Sequence, residues 1–129
     1  GDCNYTPSLE MWLQITTRLA NDYLQLFKEA AVKNKAEMRE AVLTLASLRD
    51  TTNQAVTPEC AVDAQIILSD AMNTGVTTLQ AYINGDRADL GSVVNDVTAQ
   101  LEQAITIQNE LILRMETQIQ DALATAAPQ

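Results

Sequence analysis

Cys3 and Cys60 are the only cysteines in this chain, and each stands beside the same dipeptide, Thr6-Pro7 and Thr57-Pro58. Threonine at an N-cap followed by proline at the first helical position is a helix start signal. The hydroxyl satisfies a free backbone N–H, and proline lacks the N–H that would otherwise go unpaired. Cys3 therefore precedes one helix cap, and Cys60 falls in the first turn of another helix. In an up-down-up-down bundle the first and third helices start at the same end, so the two thiols are expected to meet. A disulfide is the leading reading; separate buried thiols and a redox or intermolecular role are the alternatives. Closing a loop of about 57 residues would stabilise the fold by about 4 kcal/mol in the chain-entropy account. Such a bond persists outside the cytosol and is unusual within it.

The other ionisable chemistry is carboxylate. Asp63 and Asp70 lie seven residues apart, as do Asp89 and Asp96, and Glu37 and Glu40 are a turn apart. All fall off the apolar positions, which reads as a solvated helix face; an oxygen-ligand cation site is the alternative. There is no histidine, which removes the commonest general base, the usual zinc and haem ligand, and the Glu-x-x-His pairs of di-iron bundles. The chain also has no Cys-x-x-Cys, phosphate loop or nucleophile elbow. No catalytic residue, cofactor or metal is expected.

Three further residues invite a binding role. Gln108 stands where the stripe of the last helix calls for an apolar side chain. It can be a buried polar residue that sets register or pairs with Thr16, Thr44 or Thr52. It can also contact a ligand, or lie exposed on a rotated helix. Trp12 and Tyr23, eleven residues apart on the first helix, can line a pocket or serve as ordinary core.

Four helices must position these groups. The first is expected over residues 7–33, with Leu9, Trp12, Leu13, Thr16, Leu19, Tyr23 and Phe27 at three- and four-residue steps. Asn34 is expected as a left-handed stop; a single rod running to residue 56 is the alternative. The second helix spans residues 36–55 and ends where Thr57 is pushed out of helical geometry by Pro58. The third spans residues 58–84. Gly75 lies inside it, a position that close packing or a bend must offset. In the turn Asn84-Gly85-Asp86, Gly85 suits the left-handed stop and Asp86 caps the next helix. The fourth helix spans residues 87–124, with a tail over residues 125–129. It would reach roughly 57 Å against roughly 40 Å for the third. Either its last turns overhang the bundle or it kinks near Gly91. The fold expected is all-α: an antiparallel up-down-up-down four-helix bundle with one disulfide, in a single domain over residues 1–129.

The 129 residues contain one Phe, three Tyr and one Trp, so the core must be aliphatic. Net charge is −9, and it is uneven. Residues 1–56 carry seven acids and six bases, whereas residues 57–129 carry ten acids and two bases. The second half should repel nucleic acid and anionic lipid. The basic cluster Lys28, Lys33, Lys35 and Arg39 reads as charge at a helix C-terminus and the following loop, or as a docking patch for an acidic partner. No apolar run is long enough to span a membrane. Asp2 before Cys3 spoils a lipoprotein processing site, and any secretory leader would precede Gly1. Asn4-Tyr5-Thr6 matches a glycosylation sequon.

Residues 58–104 carry a pattern of Pro58, Cys60 and Ala64, an aliphatic helix, then Ala81-Tyr82-Ile83-Asn84-Gly85-Asp86 and an Ala/Leu-rich final helix. This pattern resembles secreted helical domains of uncharacterised bacterial proteins. The resemblance implies an extracytoplasmic helical bundle and brings no catalytic residues.

The function expected is that of a non-enzymatic extracytoplasmic scaffold or protein-interaction domain. Its contact surface is expected on the last helix at Leu111, Met115, Ile119 and Leu123, meeting a protein partner or a second copy. The alternative is a small-molecule-sensing bundle that binds a ligand between helices near Gly75, Gln108, Trp12 and Tyr23.

Overall fold

The computed structural model describes residues 3–126. Gly1 and Asp2, which carry the expectation about lipoprotein processing, and residues 127–129 of the expected tail lie outside the described residues. The described residues form four helices: α1 (Pro7–Ala30), α2 (Lys35–Asn53), α3 (Val62–Ile83) and α4 (Gly91–Ala126). A 3-10 turn over Glu59–Ala61 precedes α3, and no strand occurs among the described residues. Cys3 and Cys60 are disulfide-bonded, with their Cα atoms 5.2 Å apart. The fold is all-α with one disulfide, and α1 and α2 are separate helices rather than one rod.

Thr6 caps α1 as its sequence requires. Its backbone is extended, its hydroxyl oxygen accepts from Leu9 N at 3.1 Å, and Pro7 is the first helical residue. The second Thr-Pro behaves differently. Pro58 is extended and opens the 3-10 turn through Ala61 N donating to its carbonyl at 2.9 Å, and the Thr57 hydroxyl donates back to Ala55 O. Thr57 is therefore not a cap, although Cys60 still lies at the entrance to α3.

Helix α1 stops at Ala30, short of residue 33, and Asn34 is not a left-handed stop. Its φ is −69° and ψ 165°, and it caps α2. Its Oδ1 accepts from Glu37 N and its Nδ2 donates to Glu37 Oε1, both at 2.9 Å. A reciprocal cap satisfies a free donor at the start of α2, whereas a left-handed Asn would satisfy only the end of α1.

Gly85 is left-handed, with φ 83°. Asp86 N donates to Ala81 O at 2.9 Å, closing the end of α3 in a Schellman pattern. Helix α4 begins only at Gly91, so Asp86 does not cap it. Asp89 takes that place, its Oδ1 accepting from Gly91 N at 2.8 Å. Gly91 is then the first residue of α4 and not an interior kink. The helix continues past residue 124 to Ala126.

Helix α1 packs against α2 and α4, and α3 packs against the same two; α1 and α3 touch more lightly. The aliphatic core divides into two clusters. One joins Tyr23, Phe27, Met38, Leu45, Met72 and Leu101 among others. The other lies beside the disulfide and joins Cys3, Leu9, Trp12, Leu13, Ala64 and Met115. Asp63, Asp70, Asp89, Asp96, Glu37 and Glu40 are all exposed, as a solvated face requires. Of the basic cluster, Lys28 lies 3.7 Å from Glu102, Lys33 lies 3.5 Å from Glu37, and Lys35 stands over the Tyr82 ring. No helix among the described residues is long and apolar enough to cross a membrane.

Candidate functional site

Between the two apolar clusters lies a polar layer to which every helix contributes. Gln108 of α4 donates from Nε2 to Thr16 Oγ1 at 3.2 Å, and Thr16 donates to Trp12 O at 2.7 Å. Trp12 Nε1 donates to Gln65 Oε1 of α3 at 2.9 Å, and Gln65 Nε2 donates to Thr52 O of α2 at 2.7 Å. The Thr52 hydroxyl returns to Leu48 O at 2.8 Å. Gln108 thus pairs with Thr16, one of the three threonines expected; Thr44 is exposed. Gln65 gave no signal in the sequence, because a half-buried glutamine beside an apolar stripe looks like any surface glutamine. Among the described residues two buried side-chain oxygens lack a partner, Gln108 Oε1 and Thr17 Oγ1.

Tyr23 and Gly75 form the second polar contact in the core. The Tyr23 hydroxyl donates to Met72 O at 2.6 Å. A Cβ on Gly75 would collide with that hydroxyl and sit 3.1 Å from Phe27 Cε1. Gly75 is therefore demanded by close packing and not by a bend. Burial pushes the Tyr23 hydroxyl pKa well up, so the group stays a donor. Trp12, Tyr23, Gly75 and Gln108 pack into the core as fully buried residues. Tyr23 meets Gly75, and Gln108 reaches Trp12 through Thr16; Trp12 also lines a groove of about 340 Å³ with Met11, Ile15 and Val56.

The third feature is a groove between α1 and α4 near the disulfide. It measures about 530 Å³. Leu13, Ile112, Met115 and Ile119 make its apolar floor, and Glu10, Arg18 and Glu116 stand on its walls. Thr17, with its unpartnered hydroxyl, also lines it. A second groove, of about 360 Å³, is lined by Tyr5, Gln118, Ile119, Ala122, Leu123 and Ala126. The two share Ile119.

The segment before α1 is pinned across α4 at this place. Tyr5 N donates to Gln118 Oε1 at 2.7 Å, and Gln118 Nε2 donates to Asn4 Oδ1 at 3.1 Å. The Tyr5 hydroxyl donates to Glu10 Oε2 at 3.1 Å. That hydrogen bond and the Glu10 charge raise the Tyr5 pKa.

The four residues expected as a contact surface divide in the structure. Met115 belongs to the disulfide-side core, and Leu111 and Ile119 are half-buried against it. Leu123 is 66% exposed. Beyond Ile119 every described residue of α4 is exposed. The disulfide-side cluster covers the first part of the expected surface and leaves the last turns uncovered. Leu113, expected with those four as apolar surface of the last helix, is exposed; sequence reasoning missed exposed Met11 and Val56, since each sits beside a stripe position rather than on it. No three histidine, cysteine, aspartate or glutamate side chains converge among the described residues.

No family model matches the chain, and no curated protein or solved structure shows significant similarity to it.

Proposed function

We propose that this chain is a non-enzymatic, extracytoplasmic scaffold or protein-interaction domain that offers the groove and the last turns of α4 to a protein partner. The reading places it among secreted helical domains such as its C-terminal pattern resembles. We read the architecture as an antiparallel up-down-up-down bundle. Three sets of contacts support that topology. Residues 5, 16 and 28 meet residues 118, 108 and 102 in turn. Residues 49 and 53 meet 73 and 69. Residues 12 and 23 meet 65 and 72. The disulfide supports an oxidising compartment. The acidic second half disfavours nucleic acid as the partner.

The observation that carries the reading is the exposed end of α4, with Leu123 uncovered beside a groove floored by Ile112, Met115 and Ile119. Apolar surface of this kind marks interaction sites. The test is a photo-crosslinking residue at position 123, compared with one at Leu43, which is equally exposed on α2. A product formed from position 123 alone, in the cells that make the protein, is the expected result. Equal products from both positions, or none from 123, would overturn the reading. Elemental analysis should find no stoichiometric transition metal.

The small-molecule-sensing alternative draws on the unpartnered Gln108 Oε1 within the polar layer. Native mass spectrometry decides it: a retained small molecule that Gln108→Met abolishes would favour sensing over docking.

A further inference from the structure

The charges around the α1–α4 groove are separated along its length. Glu10 and Glu116 stand where α1 begins, and Arg18 stands further along α1 on the same groove. Glu10 and Arg18 are about 12 Å apart by helical rise. Glu10 is held from one oxygen by the Tyr5 hydroxyl. Between these poles the floor is Leu13, Ile112 and Met115, and Ile119 continues it past Glu116 towards Tyr5. A second copy of this chain fits the groove poorly, because residues 57–129 carry ten acids and two bases and pairing α4 with itself would bring like charge together.

We propose that the occupant is a short amphipathic helix of a protein partner, apolar on one stripe and carrying lysine or arginine in its first turn, lying parallel to α1. The proposal rests on the partner reading above and adds the chemistry and direction of the partner. A helix carries positive charge at its N-terminus and negative charge at its C-terminus. Laid parallel to α1, its positive end and first-turn cations meet Glu10 and Glu116, and its negative end meets Arg18. Reversed, both ends meet like charge. The groove is long enough for about eight helical residues, or two turns. Two turns present the i, i+3, i+4 and i+7 side chains that such grooves receive. The net charge of −9 draws a cationic segment towards the protein.

The test uses two synthetic 14-residue peptides with the same leucine stripe, each locked helical by a side-chain staple so that their opposite end charges do not change their helicity. One has lysines in the first turn and glutamates in the last; the other has them exchanged. Binding to the oxidised protein is followed by titration and by amide shifts at Leu13, Thr17, Ile112 and Ile119. The lysine-first peptide should bind about fivefold tighter than its exchanged partner. Glu10→Gln with Glu116→Gln should at least halve that preference, the Arg18 contribution remaining. Glu10 also accepts the Tyr5 hydroxyl and stands in the first turn of α1, so the melting temperature is measured alongside to show that the variant is folded. Equal binding of the two peptides, a preference for the exchanged one, or shifts elsewhere on the protein would overturn the proposal. If neither peptide binds while position 123 still crosslinks a partner, the charge and direction are wrong and the partner reading stands. If both experiments fail, the partner reading falls as well.

Discussion

The hydroxyl of Tyr23 fills the space that Gly75 leaves by having no side chain. It donates there to Met72 O at 2.6 Å, and the Phe27 ring closes the same space from the side. A glycine inside a helix forgoes roughly 1 kcal/mol of propensity relative to alanine. Here that loss admits a buried aromatic ring and pairs its hydroxyl.

Gly75→Ala should therefore destabilise the protein by about 1–3 kcal/mol through overpacking, despite the better helix former. In a Tyr23→Phe background the collision with the hydroxyl disappears, although Phe27 remains close. The second penalty should then be clearly smaller than the first. Urea denaturation of the four proteins measures the coupling. Additive effects would show that the glycine and the hydroxyl are independent.

Tyr23 also sets the alkaline limit. Its pKa lies well above the ordinary value of 10 chiefly because it is buried. A raised folded-state pKa contributes stability that is full below the unfolded pKa and is lost as pH rises through the folded value. Stability should be insensitive to this group up to about pH 9 and decline above about pH 10. Tyr23→Phe should be less stable at neutral pH by about 1 kcal/mol, through loss of a hydrogen bond, and should show a shallower alkaline decline. An unchanged alkaline slope would refute the assignment.

The disulfide joins residues 57 apart in sequence. Replacing both cysteines with serine should lower stability by about 4 kcal/mol, or somewhat less where the unfolded chain retains structure. The loss should be felt first at the disulfide side. Leu9, Trp12 and Met115 pack around Cys3 there, and amide exchange should quicken in that cluster before the Tyr23–Met72 region. Intact mass with and without reduction checks the bond itself; two free thiols in unreduced protein would reject it.

Gln108 is buried with one oxygen unpaired. A buried polar atom without a partner opposes folding by about 1–3 kcal/mol. Gln108→Met keeps the length of the side chain and removes that oxygen, and Thr16 keeps its own bond to Trp12 O. The variant should be as stable as the parent or more so, by thermal denaturation. Gln65→Met should instead destabilise, because Trp12 Nε1 loses its acceptor and Thr52 O its donor. Destabilisation of equal size at both positions would show that Gln108 is fully satisfied.

Much of the fold was legible in the residues. The stripe of α1, the Thr6-Pro7 start, the Gly85 stop and the meeting of Cys3 with Cys60 all follow from local chemistry and period. The boundaries that moved did so where one residue had two local uses. Asn34 can end a helix or begin one, and it begins α2 because Glu37 answers it from both sides. Asp86 closes α3 through its N–H, and its carboxylate caps nothing because α4 begins at Gly91, where Asp89 accepts the first free N–H. Thr57-Pro58 repeats the letters of Thr6-Pro7, yet its hydroxyl turns back to Ala55 O.

By itself the sequence determined an all-helical chain with a largely aliphatic core, an acidic second half and no histidine chemistry. These depend on composition and on contacts within a few residues, which short-range rules describe. Only the tertiary structure decided which polar side chains share a layer, why residue 75 must be glycine, and where α4 leaves its neighbours. Gln65 meets Trp12 and Thr52, Tyr23 meets Met72, and Leu123 stays uncovered, because four helices settle into one mutual register. That register is a property of all four apolar faces packing at once, and no single stripe contains it.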